Sequence, residues 1–209
     1  VTYNGAYYAY ASTAANLAKY VNEAKGDIEV FVTGDIAGNA TLQQKPNVGV
    51  TITGNDKNYN GAIVIDGKSA GYATASMTIK GLNFSADTLS DDAFINLGKE
   101  GNNNTRYTRN VRVEGCTFSS TGEAIVAVKS YTGGDKYVSI IDCTVNEGVH
   151  SLAQLTNVEE GLKFEGCVVA AKNGVNLNNT PTFEMNDCSF DVKGYAIRVG
   201  VNGEVNAHT

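Results

Sequence analysis

The chain has no tryptophan, only two prolines and two histidines among its 209 residues, and few charged side chains, which make up 18% of it. Acidic residues outnumber basic ones, and the net charge of −6 argues against a nucleic-acid partner, which requires clustered Lys and Arg. No apolar run reaches the length of a transmembrane segment, so we expect none. The chain also has no calcium-binding acidic run and no nucleotide-binding glycine loop, so we expect no metal and no cofactor.

What the chain does contain is a short repeated pattern. In each copy apolar residues alternate with polar ones, the alternation shifts phase once, and it then resumes, which predicts two short strands joined by a sharp bend. A third apolar stretch follows each bend. Repeats of about 20 to 50 residues indicate a solenoid. The copies are VTITGN (50–55), MTIKGLNF (77–84), VRVEGCTF (111–118), VSIIDCTV (138–145), LKFEGCVV (162–169) and FEMNDCSF (183–190).

The residue at the bend is a glycine or an aspartate. Both tolerate a positive φ better than most residues do, so we expect that backbone conformation at the bends. The bend residues are Gly54, Gly81, Gly115, Asp142, Gly166 and Asp187.

A cysteine follows the bend in four copies, at Cys116, Cys143, Cys167 and Cys188. Neighbouring parallel strands hold Cβ atoms farther apart than a disulfide prefers, and a linear stack cannot surround zinc. We therefore expect a ladder of four buried, reduced thiols that forms part of the core.

The pattern of bend and cysteine resembles the right-handed parallel β-helix repeat of the pectate-lyase-like superfamily over residues 27–200. The resemblance implies an all-β, single-stranded β-helix of about seven coils, closest in character to the non-catalytic bacterial surface members. It implies no single activity, because the superfamily includes polysaccharide lyases, glycoside hydrolases and adhesins. An immunoglobulin-like sandwich is the alternative fold, but its hairpins would not repeat one bend coil after coil.

Residues 12–26 read as one amphipathic helix, with Ser12 as its N-cap and Gly26 at its end. We expect this helix to cover the first coil, so that residues 1–26 cap a β-helix of residues 27–209 within one structural domain. Residues 201–209 read as the first strand of another coil. We therefore expect an uncovered C-terminal end, open to end-to-end association or to a further domain.

Two long loops, residues 98–110 and 129–137, follow equivalent strands of adjacent coils, so we expect them to emerge side by side. Their aromatic rings would stack on a sugar, and their cations would bind its hydroxyls or a carboxylate. The residues of this predicted ligand-binding shelf are Tyr107, Tyr131, Tyr137, Arg106, Arg109 and Lys136. A freely varying, solvated pair of loops is the alternative.

Candidate catalytic residues stand three places before the inward positions Ile95, Val126 and Ala153. We expect them to align on three consecutive coils at a separation close to that of the carboxyl groups in retaining glycosidases. They are Asp92, Glu123 and His150. Residues 90–98 and 121–130 resemble the polygalacturonase segment that carries paired aspartates, but Ala124 breaks the pair and the family's Gly-His-Gly and Arg-x-Lys motifs are missing. Exposed turn residues are the alternative.

The repeat, the predicted shelf and the missing catalytic motifs together predict a bacterial protein that is secreted or attached to the cell surface. We expect it to bind or display, with a glycan as its ligand. The chain begins at VTYNG without an initiator Met, as a processed protein or an excised fragment would. The alternative is a polysaccharide lyase or glycoside hydrolase. The sequence leaves open whether the domain is an enzyme, and the missing motifs favour binding over catalysis.

Overall fold

The computed structural model describes residues 2–3, 6–67, 74–98, 107–130, 134–201 and 204–208. It is a parallel β-solenoid of about seven turns with one short helix near the N-terminus. The predicted all-β solenoid is thereby confirmed. No helix in these ranges is long and apolar enough to cross a membrane.

Each full turn of the solenoid contributes strands to three faces. In chain order the elements are β1 (Thr2–Tyr3), β2 (Ala6–Ala11), α1 (Ala14–Glu23), β3 (Ile28–Val32), β4 (Ile36–Ala37), β5 (Ala40–Gln43), β6 (Gly49–Asn60), β7 (Ile63–Asp66), β8 (Ser76–Ser85), β9 (Ala93–Leu97), β10 (Arg109–Glu114), β11 (Thr117–Ser119), β12 (Val126–Ser130), β13 (Lys136–Ile141), β14 (Thr144–Val145), β15 (Ser151–Thr156), β16 (Leu162–Glu165), β17 (Val168–Val169), β18 (Asn173–Asn178), β19 (Glu184–Asn186), β20 (Ser189–Phe190), β21 (Ile197–Val201) and β22 (Glu204–His208).

Two sheets contain these strands. The first face runs from β2 through β3, the first halves of β6 and β8, β10, β13 and β16 to β19. The second face belongs to the same 14-stranded sheet and consists of β4, the ends of β6 and β8, β11, β14, β17 and β20. The third face is an 8-stranded sheet in the order β22-β21-β18-β15-β12-β9-β7-β5. Neighbouring strands are parallel, except in the pairs β1–β2 and β21–β22.

The predicted register of the repeat is confirmed along the first face. Equivalent residues pair directly from turn to turn and point into the core, where most of them are fully buried. They are Ile52, Ile79, Val113, Ile140, Phe164 and Met185. Aromatic rings continue the core at the second face, where Phe84 and Phe118 stack with their centroids 5.1 Å apart.

The bends have the predicted positive φ at Gly81, Gly115, Asp142, Gly166 and Asp187. The prediction is wrong at Gly54. There the positive φ falls on Asn55 and Asp56, within a register shift of β6 against β8. Gly54 is needed for a different reason, because a Cβ at this position would lie 2.2 Å from the carbonyl oxygen of Gly81.

The helix is shorter than predicted. It spans Ala14–Glu23, and its N-cap is Thr13 instead of Ser12, with the Asn16 amide donating to Thr13 Oγ1 at 3.1 Å. Its buried side chains are Ala14, Leu17 and Val21, and it packs against β2, β3 and β5. The strand β2 was not predicted from the sequence. It pairs with β3, so the first face begins before the helix.

The C-terminal segment also differs from the prediction. β22 folds back and pairs antiparallel with β21, so it does not start another coil. In the last turn, the inward residues Met185, Cys188 and Phe190 are only partly buried.

Candidate functional site

A polar groove of about 390 Å³ runs over the third face. One row of outward side chains comes from four consecutive turns, because Lys129 pairs with Gln154, Gln154 with Asn176, and Asn176 with Arg198. The strands β12, β15, β18 and β21 hold this row in register, because their inward neighbours are apolar and anchor each strand to the core. The row thus presents two amide side chains between two cations.

A second row of polar side chains borders the first. Thr156 and Asn178 are paired across β15 and β18, and both line the groove with Ser130. Among the described residues that line the groove there is no carboxylate. The arrangement therefore offers hydrogen-bond donors and acceptors and local positive charge on a protein whose net charge is negative.

The two cations of the groove are held in position. Lys129 Nζ donates to the carbonyl oxygen of Asp91 at 3.3 Å, and the Arg198 guanidinium lies 5.7 Å from the centroid of the Tyr195 ring. One turn before Lys129, the same row contains Asn96, which is completely buried and donates to the Ala93 carbonyl at 3.3 Å. Asn96 Oδ1 has no hydrogen-bond partner in the described part of the chain.

Four residues of the predicted shelf lie in one cluster. The Arg109 guanidinium is 5.2 Å from the centroid of the Tyr107 ring, and Lys136 and the half-exposed Tyr137 start the adjacent strand β13. Arg106 and Tyr131 lie outside the described residues.

The charge of Lys136 is used within the protein. Its Nζ lies 2.5 Å from Glu159 Oε2 and 3.0 Å from Glu160 Oε1. The hydrogen bonds to Glu159 and Glu160 raise the pKa of Lys136, and the bond from Lys136 lowers the pKa of Glu160. This side chain would have to exchange internal ion pairs for contacts with a ligand.

A buried carboxyl next to this cluster was missed by the sequence analysis. Asp135 is fully buried, and its Oδ1 accepts hydrogen bonds from the Thr108 amide at 2.7 Å and from Thr108 Oγ1 at 2.9 Å. Burial raises the pKa of Asp135, and the hydrogen bonds from Thr108 only partly oppose this effect. The bonds join the residues that immediately precede β10 and β13.

The expected alignment of the three catalytic candidates is wrong at Glu123. Val126 pairs with Ala93 and with Ser151, so Asp92 and His150 stand beside Ile125, and Glu123 lies two places before that row. Glu123 instead forms ion pairs with Lys193 at 3.3 Å and Lys172 at 3.7 Å.

The imidazole of His150 lies near these ion pairs. Its Nδ1 is 3.2 Å from both Ser151 Oγ and Gln154 Nε2. Burial, and secondarily Lys172, lowers the pKa of His150. Because Glu123 lies two places before the row of Asp92, the two carboxylates do not stand side by side on neighbouring strands, as the comparison with a retaining glycosidase requires.

The four cysteines are free and occupy equivalent places on consecutive turns. Cys116, Cys143 and Cys167 are buried, and Cys188, which lies on the last of these turns, is only partly buried. The hydrogen bond with Cys116 and burial raise the pKa of Cys143, and burial raises the pKa of Cys167 to about 11. The hydrogen bond with Cys143 lowers the pKa of Cys116, and burial opposes this effect. The described residues contain no group of three or more His, Cys, Asp or Glu side chains that could hold a metal ion.

Comparison with known proteins identifies no relative. The chain matches no protein-family model, and no curated protein or solved structure is significantly similar to it. Functional inference for this chain therefore rests on the chemistry of its own surfaces.

Proposed function

We propose that this chain is a secreted or cell-surface domain that binds a glycan in the groove on its third face. The observation that carries the proposal is the row of Lys129, Gln154, Asn176 and Arg198 on four consecutive turns. A bacterial, pectate-lyase-like origin remains part of this proposal through the repeat pattern alone.

The spacing of the row suits an extended polymer. Neighbouring strands are about 4.8 Å apart, so the row spans about 14 Å along the solenoid. An amide side chain both donates and accepts, as a sugar hydroxyl does, so Gln154 and Asn176 can each bind hydroxyls of successive sugar units. Lys129 and Arg198 add charge-assisted hydrogen bonds at the two ends.

The groove is better suited to binding than to cleavage. Glycoside hydrolysis needs two carboxyl groups about the scissile bond, whereas no carboxylate is among the described residues that line the groove. A lyase or hydrolase acting through Asp92 or Glu123 is the competing function, and it would have to use a different surface.

A glycan array tests the proposal. The native protein should bind a subset of polysaccharides, and the double variant Gln154→Ala and Asn176→Ala should lose at least tenfold in affinity with an unchanged melting temperature. The matched control is Thr117→Ala with Thr144→Ala, which removes paired polar side chains from the second face of neighbouring turns and should leave binding unchanged.

Two results would contradict the binding proposal. One is retention of glycan binding by the groove variant. The other is release of reducing or unsaturated ends from a polysaccharide that stops when Asp92 or Glu123 is changed to Ala, which would establish the enzyme instead.

We also propose that the last turn is a contact surface for end-to-end association or for a further domain. Support comes from the partly buried Met185, Cys188 and Phe190, whose equivalents Phe164, Cys167 and Val169 are buried. Sedimentation velocity of the native chain and of Met185→Lys tests association between copies. A monomer at all concentrations would refute end-to-end association between copies.

A further inference from the structure

A histidine stands at the edge of the groove on the third face. His150 lies just before β15, where its amide donates to the Ile125 carbonyl on the preceding turn and its carbonyl accepts from the Asn173 amide on the next, both at 2.8 Å. Its ring reaches the groove, because Nδ1 lies 3.2 Å from Nε2 of Gln154, which lines the groove. A titratable ring is therefore in contact with one amide of the row.

The contact between His150 and Gln154 requires a neutral ring. An amide nitrogen carries only donors, so the Nδ1 atom that faces Gln154 Nε2 has to accept a hydrogen bond, and the proton of the neutral imidazole is then on the other ring nitrogen. The bond directs the NH2 group of Gln154 towards the ring. The amide oxygen Oε1 is thereby turned away from the ring and is presented to a ligand in the groove.

A protonated imidazole reverses this arrangement. Both ring nitrogens of a histidine cation are donors, so Nδ1 no longer accepts from Gln154. Ser151 Oγ also lies 3.2 Å from Nδ1 and can accept the new proton, but the ring N–H and the Gln154 NH2 group would then face each other as two donors. The last torsion of glutamine is broad and roughly two-fold, so the amide can turn over. Oε1 then faces the ring, and the NH2 group faces the groove.

We propose that His150 is a positioning residue of the groove, which presents the Gln154 amide to a ligand as an acceptor when the ring is neutral and as a donor when the ring is protonated. The consequence for glycan binding rests on the function proposed above, whereas the turn of the amide does not. A sugar hydroxyl that donates to Gln154 Oε1 at neutral pH loses this bond in acid. The affinity for a neutral glycan should therefore fall as the pH falls.

The groups around His150 place this change in mild acid. Lys172 and Glu123 face the imidazole, and Glu123 is also paired with Lys193, which lies 3.6 Å from Glu147. Burial, and secondarily Lys172, holds the pKa of His150 below its ordinary value of about 6.5, and Glu123 only partly opposes them. The ring is therefore neutral at pH 7.5 and gains its proton as the pH falls below about 6.5.

Nuclear Overhauser effects in the free protein test the turn of the amide without a ligand. At pH 7.5 the Gln154 NH2 protons should show a strong effect to Hε1 of the His150 ring, the proton next to Nδ1, and this effect should lose most of its intensity by pH 4.5. The contacts of the Asn176 NH2 protons, on the next turn of the row, should not change. In Lys172→Met the pKa of His150 should rise, and the loss of the effect should move to higher pH with it.

The consequence for binding is measured with the neutral polysaccharide that the native protein binds best on the glycan array. Its affinity should fall about fivefold between pH 7.5 and pH 4.5. His150→Phe keeps a flat ring without nitrogen and should bind weakly at both pH values. His150→Gln supplies an amide oxygen that accepts from Gln154 and does not titrate. It should rescue the neutral-pH affinity that His150→Phe loses, without the dependence on pH.

Two results would overturn the proposal. One is a contact between the Gln154 NH2 protons and His150 that is the same at pH 7.5 and pH 4.5. The other is a dependence of glycan affinity on pH that persists in His150→Gln. If the array finds no neutral glycan ligand, the function proposed for the groove fails, and the Overhauser effects in the free protein still decide the role of His150.

Discussion

Two glycines at the bend between the first and second faces are constrained for different reasons, and unfolding experiments can separate them. Gly115 has a φ of 57°, and nothing lies within 4 Å of the position that its Cβ would occupy. Gly54 has no positive φ, but its Cβ would lie 2.2 Å from the carbonyl oxygen of Gly81 on the next turn. Alanine at Gly115 therefore introduces backbone strain, and alanine at Gly54 introduces a steric clash.

The magnitudes differ accordingly. Left-handed backbone costs a non-glycine residue about 1 to 2 kcal/mol, so Gly115→Ala should lose about that much stability. Overpacking costs about 1 to 3 kcal/mol and occasionally more. At Gly54 the clash is with backbone, so no rotamer change relieves it and the two turns must separate. We expect Gly54→Ala to lose about 3 kcal/mol or more.

Urea unfolding followed by circular dichroism measures both losses, and an unchanged m-value shows that the variants unfold the same surface. Gly115→Asn is the control, because asparagine tolerates positive φ and should lose less than alanine does. If Gly115→Ala is as destabilising as Gly54→Ala, the clash is not the dominant effect. If asparagine and alanine at Gly115 cost the same, the explanation by backbone strain fails.

Two further predictions concern buried side chains. In the native protein a thiol reagent should label Cys188 and leave Cys116, Cys143 and Cys167 unmodified, with all four reacting after unfolding; early labelling of a second thiol would contradict the burial. For Asp135, burial raises the folded-state pKa, so its favourable contribution is present at low pH and is lost as the pH rises through that pKa. Relative to Asp135→Asn, the native protein should lose stability in urea unfolding as the pH rises above about 4, the ordinary pKa of an aspartate. A difference between the two proteins that does not change with pH would refute the raised pKa.

The sequence predicted most of the solenoid because each inward row must be apolar on every turn. On the first face the alternation around Ile79, Val113 and Ile140 leaves only one register that buries these residues. The bend was predictable for the same reason, since a phase shift in alternation has to coincide with a change of direction. Helix boundaries were less certain, because Ser12 and Thr13 are both good N-caps.

The third face could not be aligned in the same way. Residues 124–128 are apolar at all five positions, so alternation does not show which of them pairs with Ile95. The equal three-residue spacing after Asp92, Glu123 and His150 predicted that Val126 pairs with Ile95, whereas the structure pairs Val128 with Ile95. This difference of two places is the whole reason that Glu123 was expected beside Asp92.

The same register decides whether the groove can be recognised. The register aligns one buried residue on each strand, namely Val128, Ala153, Val175 and Ile197. The residues that follow them then form the exposed row of Lys129, Gln154, Asn176 and Arg198. No single strand reveals this row. Polar outward positions have no periodic signal of their own, because solvent accepts almost any polar side chain. The order of inference in a β-solenoid is therefore fixed: the buried rows set the register, and only the register shows which exposed side chains can act together on one ligand.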